Sequence, residues 1–339
     1  MTRLAKVPAP ALVALRWAAY LAVLVVVALV LRDRFGTVGQ SAFALPTWWS
    51  MAAAVGLFVV ANEILVRAWL ALVAMGGAHL DRPRGRWVWS SSQLTRYAMG
   101  MAQVASRAVV ARRHGLRASA GAITTLLEVV WYSCVNGLVA VATIPWWLPD
   151  TGLGWAAGFA ALPGLVIVLA LVSPRTFLQK TKWAGRLPLL RRVGSLASAD
   201  DIGVTRRDTA VLTLAYVGNF TIRLAGFLAL YVGVGGPTDQ VLRVVGAFAL
   251  GHLIGAVAVF APGGLGPREG VTAVVLAPVI GAGPVLALVA VTRLLELVAE
   301  LAYAAVARLR WPGELATPDE DGVGRLLSRD DPIEGIRAP

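Results

Sequence analysis

The stretch that decides the fold is VLRVVGAFALGHLIGAVAVF (residues 241–260), followed by APGGLGPREG (261–270) and VTAVVLAPVI (271–280). The first piece is apolar for a full membrane crossing, which takes about 20 residues. The second cannot be regular helix. Pro262, Gly263, Gly264, Gly266 and Pro267 fall within six positions, and proline and glycine both weaken or break helices. The third piece, Val271 to Ile280, is a half-length apolar run closed by Gly281-Ala282-Gly283-Pro284. Irregular backbone at membrane depth is tolerated only inside protein or against an aqueous cavity. Two readings stay open here. One is a discontinuous membrane helix whose N-terminal amides, with Arg268, attract an anion, as at transporter substrate sites. The other is a short cytoplasmic turn between two spans.

The rest of the chain supports a membrane setting. Of 339 residues, 58% are hydrophobic and 15% charged, against about a quarter charged in an ordinary soluble domain. Mean hydropathy is +0.70. The fold class expected is all-α, a polytopic helical membrane protein of six to eight spans with two broken or re-entrant segments. The spans are expected at Ala11–Leu31, Trp48–Met75, Ser119–Trp147, Trp155–Val172, Asp208–Val234, Val241–Phe260 and Val285–Ala307. Residues 93–111 are too polar for an ordinary span and too apolar for a loop. The first run is too long for a signal-peptide core of about 7–15 residues and is read as an uncleaved helix.

Net charge is +12, with 28 Arg against 3 Lys. The acidic stretch 314–339 carries seven acids and three arginines, so it balances at −4 and leaves residues 1–313 at +16. That gives an integral membrane domain (1–313) and an acidic cytoplasmic tail (314–339), expected to be disordered. Residues 175–207 hold eight basic side chains. The positive-inside rule makes this loop cytoplasmic, together with both termini. Basic loops account for the charge without nucleic acid as a partner. Tryptophans, including Trp48, Trp49, Trp87, Trp89, Trp146 and Trp147, cluster near span ends as interfacial belts do.

Chemistry-bearing motifs are scarce. The single Cys134 and three scattered histidines offer no disulfide and no thiolate metal set. No H-E-x-x-H, Walker loop or G-x-S-x-G occurs. A soluble enzyme is excluded, and no cofactor or metal is expected.

Ionisable residues lie deep in the apolar runs: Glu63, Arg67, Glu128, Arg223, Arg293, Glu296 and Glu300. Each costs about 2.5–3.5 kcal/mol at mid-bilayer. Left unpaired, together they would exceed the roughly 5–15 kcal/mol net stability of a protein. Glu63 with Arg67 (i, i+4) and Arg293 with Glu296 (i, i+3) can meet on their own helices. Glu128 and Arg223 have no such neighbour and need another helix, water or substrate. Arg96-Tyr97-Ala98-Met99-Gly100 sits in the first irregular stretch, and Tyr97–Gly100 and Phe260–Gly263 share an aromatic-Ala-x-Gly pattern. A two-half pseudo-repeat is one architecture that fits.

At these residues the chain resembles the transmembrane region of lysylphosphatidylglycerol synthase/flippase proteins, over most of residues 10–310. Pro262-Gly263-Gly264-Leu265-Gly266-Pro267-Arg268-Glu269 is similar to that family's P-G-G-x-G-x-x-E signature. Arg96-Tyr97-x-x-Gly100 with later Arg107 resembles its R-Y-x-P-G stretch, although Met99 stands where the family usually has proline. Leu127-Glu128 and Thr292-Arg293-Leu294 match further positions. The resemblance implies a flippase-like membrane protein without the aminoacyl-transferase domain, since about 26 residues follow the last span.

The leading expectation is translocation of an anionic lipid or polyprenyl-linked lipid across the cytoplasmic (inner) membrane of a prokaryote. Arg96, Arg107, Arg223, Arg268 and Arg293 would contact the anionic head group. Glu128, Glu269 and Glu296 would position those arginines or carry a coupling proton. The broken segment at Pro262, Gly263, Gly264 and Gly266 would line the site. Glu269→Gln and Arg107→Ala are expected to abolish translocation with the fold kept. Two alternatives remain. One is an intramembrane lipid-modifying transferase using an acid with His252. The other is a non-catalytic membrane partner of a separate lipid synthase. Membrane lipids are the expected ligands; a homodimer or a synthase partner is open.

Overall fold

The computed structural model describes residues 45–97, 102–147, 205–258 and 262–310. Every regular element among them is helical. Helix α1 (Trp48–Met75) is followed by α2 (Arg82–Gln93), a 3₁₀ turn (Leu94–Tyr97), α3 (Ala102–Arg113), α4 (Ala118–Ala142) and a single turn (Ile144–Trp147). After residue 204 come α5 (Arg206–Gly233), α6 (Val241–Val257), a 3₁₀ turn (Pro262–Gly264), α7 (Pro267–Ile280) and α8 (Ala282–Arg310). The chain is a helical membrane protein. Three of its described helices, α1, α4 and α5, are long and apolar enough to cross a bilayer. The long α8 is less apolar because Arg293, Glu296 and Glu300 lie in its middle.

Local chemistry sets the boundaries. The positive φ of Gly77 (72°) follows α1. Asp81 then caps α2 by accepting the Arg84 N–H, with Pro83 in the first turn, where its missing N–H costs nothing. Helix α5 starts two residues before the expected Asp208. Thr205 and Asp208 form a reciprocal capping box there, with Thr205 N–H donating to Asp208 at 2.9 Å.

Helices α2, α3 and α7 are too short to cross. At about 1.5 Å per residue, the 14 residues of α7 reach about 21 Å, short of a core about 30 Å thick. Helices α2 and α3, each 12 residues, reach about 18 Å. Helix α7 begins at Pro267, four residues before the expected Val271, because the irregular backbone ends at Gly266. Its far end breaks at Gly281 (φ 83°). Residues 93–111 divide at the Leu94–Tyr97 turn instead of forming one element.

The packing brings the two irregular regions together. Helix α1 lies along α5 and also against α8; α6 packs on α4 and α7; α8 touches α1, α2 and α7. Small residues permit the closest approach. A Cβ on Gly264 would lie 2.9 Å from the Gly255 carbonyl oxygen, so α6 and the Pro262–Gly264 turn meet backbone to backbone. Buried Trp69, Trp131 and Tyr216 fill the interior. The indole N–H groups of Trp69 and Trp131 donate to Thr124 (3.0 Å) and Thr213 (3.3 Å). Trp89, expected in an interfacial belt, is instead 1% exposed and points inward. The runs Ala11–Leu31 and Trp155–Val172, most of the 175–207 loop and the 314–339 tail lie outside the described residues, as does Met99.

Candidate functional site

The short helices and turns deliver charged side chains to one interior region. Glu296 on α8 is its hub, at 1% exposure. Arg268 on α7 donates to both Glu296 oxygens at 2.8 Å, the bidentate fork that suits guanidinium and carboxylate. Arg293, one turn earlier on α8, donates to Glu296 at 3.2 Å. Arg223, from α5, approaches Glu296 at 3.5 Å and donates to Asn62 Oδ1 on α1 at 2.7 Å. Three helices, α5, α7 and α8, therefore converge on a single carboxylate, and Asn62 ties α1 to it through Arg223.

Arg293 also links the two irregular stretches. It donates to the Gly263 carbonyl, and its guanidinium lies 5.3 Å from the centre of the Tyr97 ring. The left-handed φ of Gly263 (57°) turns that carbonyl toward α8. A Cβ at Gly263 would sit 3.1 Å from the Tyr97 ring. Arg96 pairs with Glu300 and donates to the Tyr97 hydroxyl at 3.2 Å; the hydroxyl donates to Glu300 at 3.2 Å. The same ring is thus flanked by two arginines, with Arg96 5.1 Å from its centre.

A second pair stands beside this hub. Arg107 on α3 donates to Glu128 on α4 at 2.6 Å, to Ser92 at 2.9 Å and to Gln93 at 2.8 Å. Its guanidinium lies 5.5 Å from the Trp69 ring centre and 5.6 Å from that of Trp89. Trp89 N–H donates to Glu128 at 3.2 Å.

A cavity of about 170 Å³ opens among these groups, lined in part by Arg96, Glu128, Arg223, Arg268 and Arg293. Gly263 and Gly264 form part of its wall, with Gln93, Gln103 and Tyr132. His252 on α6 lies between this space and a smaller one bordered by Glu269 and Thr292. Its Nδ1 is 2.8 Å from the Phe248 carbonyl, so that nitrogen carries the proton. Its Nε2 stands 3.8 Å from Glu296.

The expected site residues thus divide. Arg96, Glu128, Arg223, Gly263, Gly264, Arg268 and Arg293 face the cavity. Glu296 sits behind three of the arginines. Glu269 closes the start of α7: its carboxylate accepts the Gly266 N–H at 2.7 Å and lies 3.5 Å from Arg293. The α7 N-terminus, expected to attract an external anion, therefore already holds a carboxylate of its own chain. Gly266 (φ 90°) supplies the turn, and Pro262 opens the 3₁₀ turn before it. Arg107 is fully buried and does not line the cavity. It holds Glu128 in place instead of reaching a head group, so Arg107→Ala is not a fold-neutral substitution. Sequence spacing gives no role to Tyr97, Asn62 or the glutamines, which carry no charge to draw notice. Glu300 was visible as a deep acid, but its partner, 204 residues away, was not.

No curated protein and no solved structure matches the chain. The family model for the lysylphosphatidylglycerol synthase TM region matches residues 16–303. That match covers the broken Pro262–Gly266 segment, both arginine-bearing turns and the Glu296 hub. The chain accordingly belongs to the lysylphosphatidylglycerol synthase TM region family, a group with a membrane lipid-related role.

Proposed function

We propose that the protein translocates an anionic lipid, phospholipid or polyprenyl-linked, across the cytoplasmic membrane of a prokaryote. The supporting observation is the cavity of about 170 Å³ walled by Arg96, Arg223, Arg268 and Arg293 inside a helical membrane protein. Guanidinium groups bind phosphate through paired N–H donors. Broken helices beside such a cavity resemble the discontinuous helices of transporter substrate sites. The anionic head group would enter the cavity beside the Tyr97 and Gly263 turns while the chains stay in lipid. Both termini are proposed to lie in the cytoplasm, and the protein acts as a transporter without a chemical step.

The test is leaflet redistribution. The purified full chain is reconstituted into vesicles containing acyl-labelled phosphatidylglycerol, and the label accessible to an external reductant is followed. Inner-leaflet label should become accessible with the protein and stay protected with the Glu269→Gln variant, whose fold is checked by its melting temperature. Unchanged protection with the folded wild-type protein would sink the reading.

A second reading has one observation in its favour. His252 borders the cavity with Nε2 free to accept a proton, 3.8 Å from Glu296. That is a general-base arrangement for a lipid-modifying transferase. A new lipid product in the same vesicles, lost on His252→Phe, would favour it over transport.

A further inference from the structure

The charge of the cavity wall can be counted. Among the described residues, the ion pairs in and behind the cavity wall comprise five arginines (Arg96, Arg107, Arg223, Arg268, Arg293) and four glutamates (Glu128, Glu269, Glu296, Glu300). The surplus is one positive charge. Setting aside the self-contained Arg107–Glu128 pair leaves the surplus unchanged. Glu63 with Arg67 and Arg86 forms a separate group, joined to Tyr303 and absent from the cavity wall.

We infer that this surplus makes the cavity selective for a singly charged phosphodiester, and that it disfavours the doubly charged phosphomonoester and diphosphate ends of polyprenyl carriers. The inference rests on the proposed reading that an anionic lipid head enters here. A buried charge without a counter-charge is costly. One monoanion brings the cluster to neutrality, whereas a dianion leaves a net negative charge among four carboxylates.

The unused donors agree with the count. Arg223 has a side chain only 5% exposed, and its Nε has no hydrogen-bond partner among the described residues. The Nε of Arg96 is likewise unpartnered; both Nε atoms are buried, behind guanidinium groups of residues that line the cavity. Glu296 divides a single negative charge among three guanidiniums. A phosphodiester offers two non-bridging oxygens to such donors. A zwitterionic head brings its own cation and leaves the surplus in place.

Phosphatidylglycerol and phosphatidic acid with identical acyl chains separate the two charge states. The phosphomonoester is a dianion at about pH 8 and close to a monoanion at about pH 5, on either side of a second pKa near 6. Binding of each to the purified full chain in detergent is measured by native mass spectrometry, and transport by leaflet redistribution. Phosphatidylglycerol should bind more tightly at pH 8 by on the order of tenfold, and the gap should close toward pH 5 while phosphatidylglycerol binding stays level. Phosphatidylcholine should bind more weakly than phosphatidylglycerol throughout. Glu269→Gln raises the surplus to two, and its amide oxygen can still accept the Gly266 N–H; the pH 8 gap should narrow in this variant. Should it fail to fold, the wild-type pH series decides alone. Dimethyl phosphate, with the same charge and no acyl chains, should compete far more weakly than the lipid; equal affinity would overturn a lipid origin for the ligand. Phosphatidic acid binding as well as phosphatidylglycerol at pH 8 would overturn the charge selection. Selective binding with no redistribution would leave this inference standing and remove the translocation reading.

Discussion

Arg107 and Glu128 meet at 2.6 Å with their side chains 0% and 6% exposed. The arginine comes from a 12-residue helix and the acid from a long one. Ser92 and Gln93 also accept from Arg107, and Trp89 donates to Glu128. Removing one partner leaves the other as a mostly buried charge without its counter-ion. Arg107→Ala should therefore destabilise the fold by about 3–5 kcal/mol. Replacing both, as Arg107→Leu with Glu128→Leu, should restore much of the loss. Thermal unfolding in detergent measures both, and equal melting temperatures for the single and double variants would contradict the argument.

Gly264 and Gly266 both have left-handed φ, 72° and 90°, but different surroundings. A methyl group at Gly264 meets the Gly255 backbone at 2.9–3.1 Å, and one at Gly266 meets nothing within 4 Å. Gly266→Ala should cost only the conformational strain, about 1–3 kcal/mol. Gly264→Ala must also push the turn away from α6 and should cost more. Melting temperatures should rank wild type, Gly266→Ala, then Gly264→Ala; the reverse order for the two variants would contradict this packing.

The Tyr97 ring lies beside both Arg96 and Arg293, while its hydroxyl joins Arg96 and Glu300. Ring and hydroxyl can be tested apart. Tyr97→Phe keeps both cation–π contacts, about 0.5–2 kcal/mol each, and should retain most of its stability. Tyr97→Ala should lose substantially more, and also redistribution activity. Similar melting temperatures for the two variants would show that the ring contributes little.

Asn219 on α5 donates to the Ala61 carbonyl on α1 at 2.8 Å, a buried contact between two membrane-spanning helices. Such hydrogen bonds in membrane proteins average about 0.6 kcal/mol. Asn219→Ala should thus lower stability slightly, well below the loss from Arg107→Ala. A comparable loss at both positions, by reversible unfolding in mixed micelles, would reverse that ranking.

Much of the architecture is legible in local pattern. The apolar run from Trp48 to Met75 is a helix with those same ends, because a stretch of apolar residues in lipid satisfies its backbone only within itself. Glu63–Arg67 and Arg293–Glu296 pair as helical spacing requires. The Pro262–Gly266 stretch is irregular as its composition demands, yet the pattern placed the following helix start four residues late. Proline tolerates a first-turn position, and Glu269 reaches back to the Gly266 N–H.

From sequence alone came the helical membrane class, the place where the backbone breaks, and the conclusion that deep charges must be compensated. Those follow from hydrophobicity, glycine and proline geometry and the cost of an ion in lipid, all properties of a short segment. Which charge compensates which belongs to tertiary structure. Glu296 collects Arg223 from 73 positions away, and Glu300 holds Arg96 from 204 positions away. Ion pairing depends on distance in space, and only the packing of α5, and of α2 with its following turn, against α8 brings those side chains within reach. That packing also seals Arg107 away from the cavity and leaves Arg223 facing it, although in sequence both are arginines within semi-apolar or apolar runs.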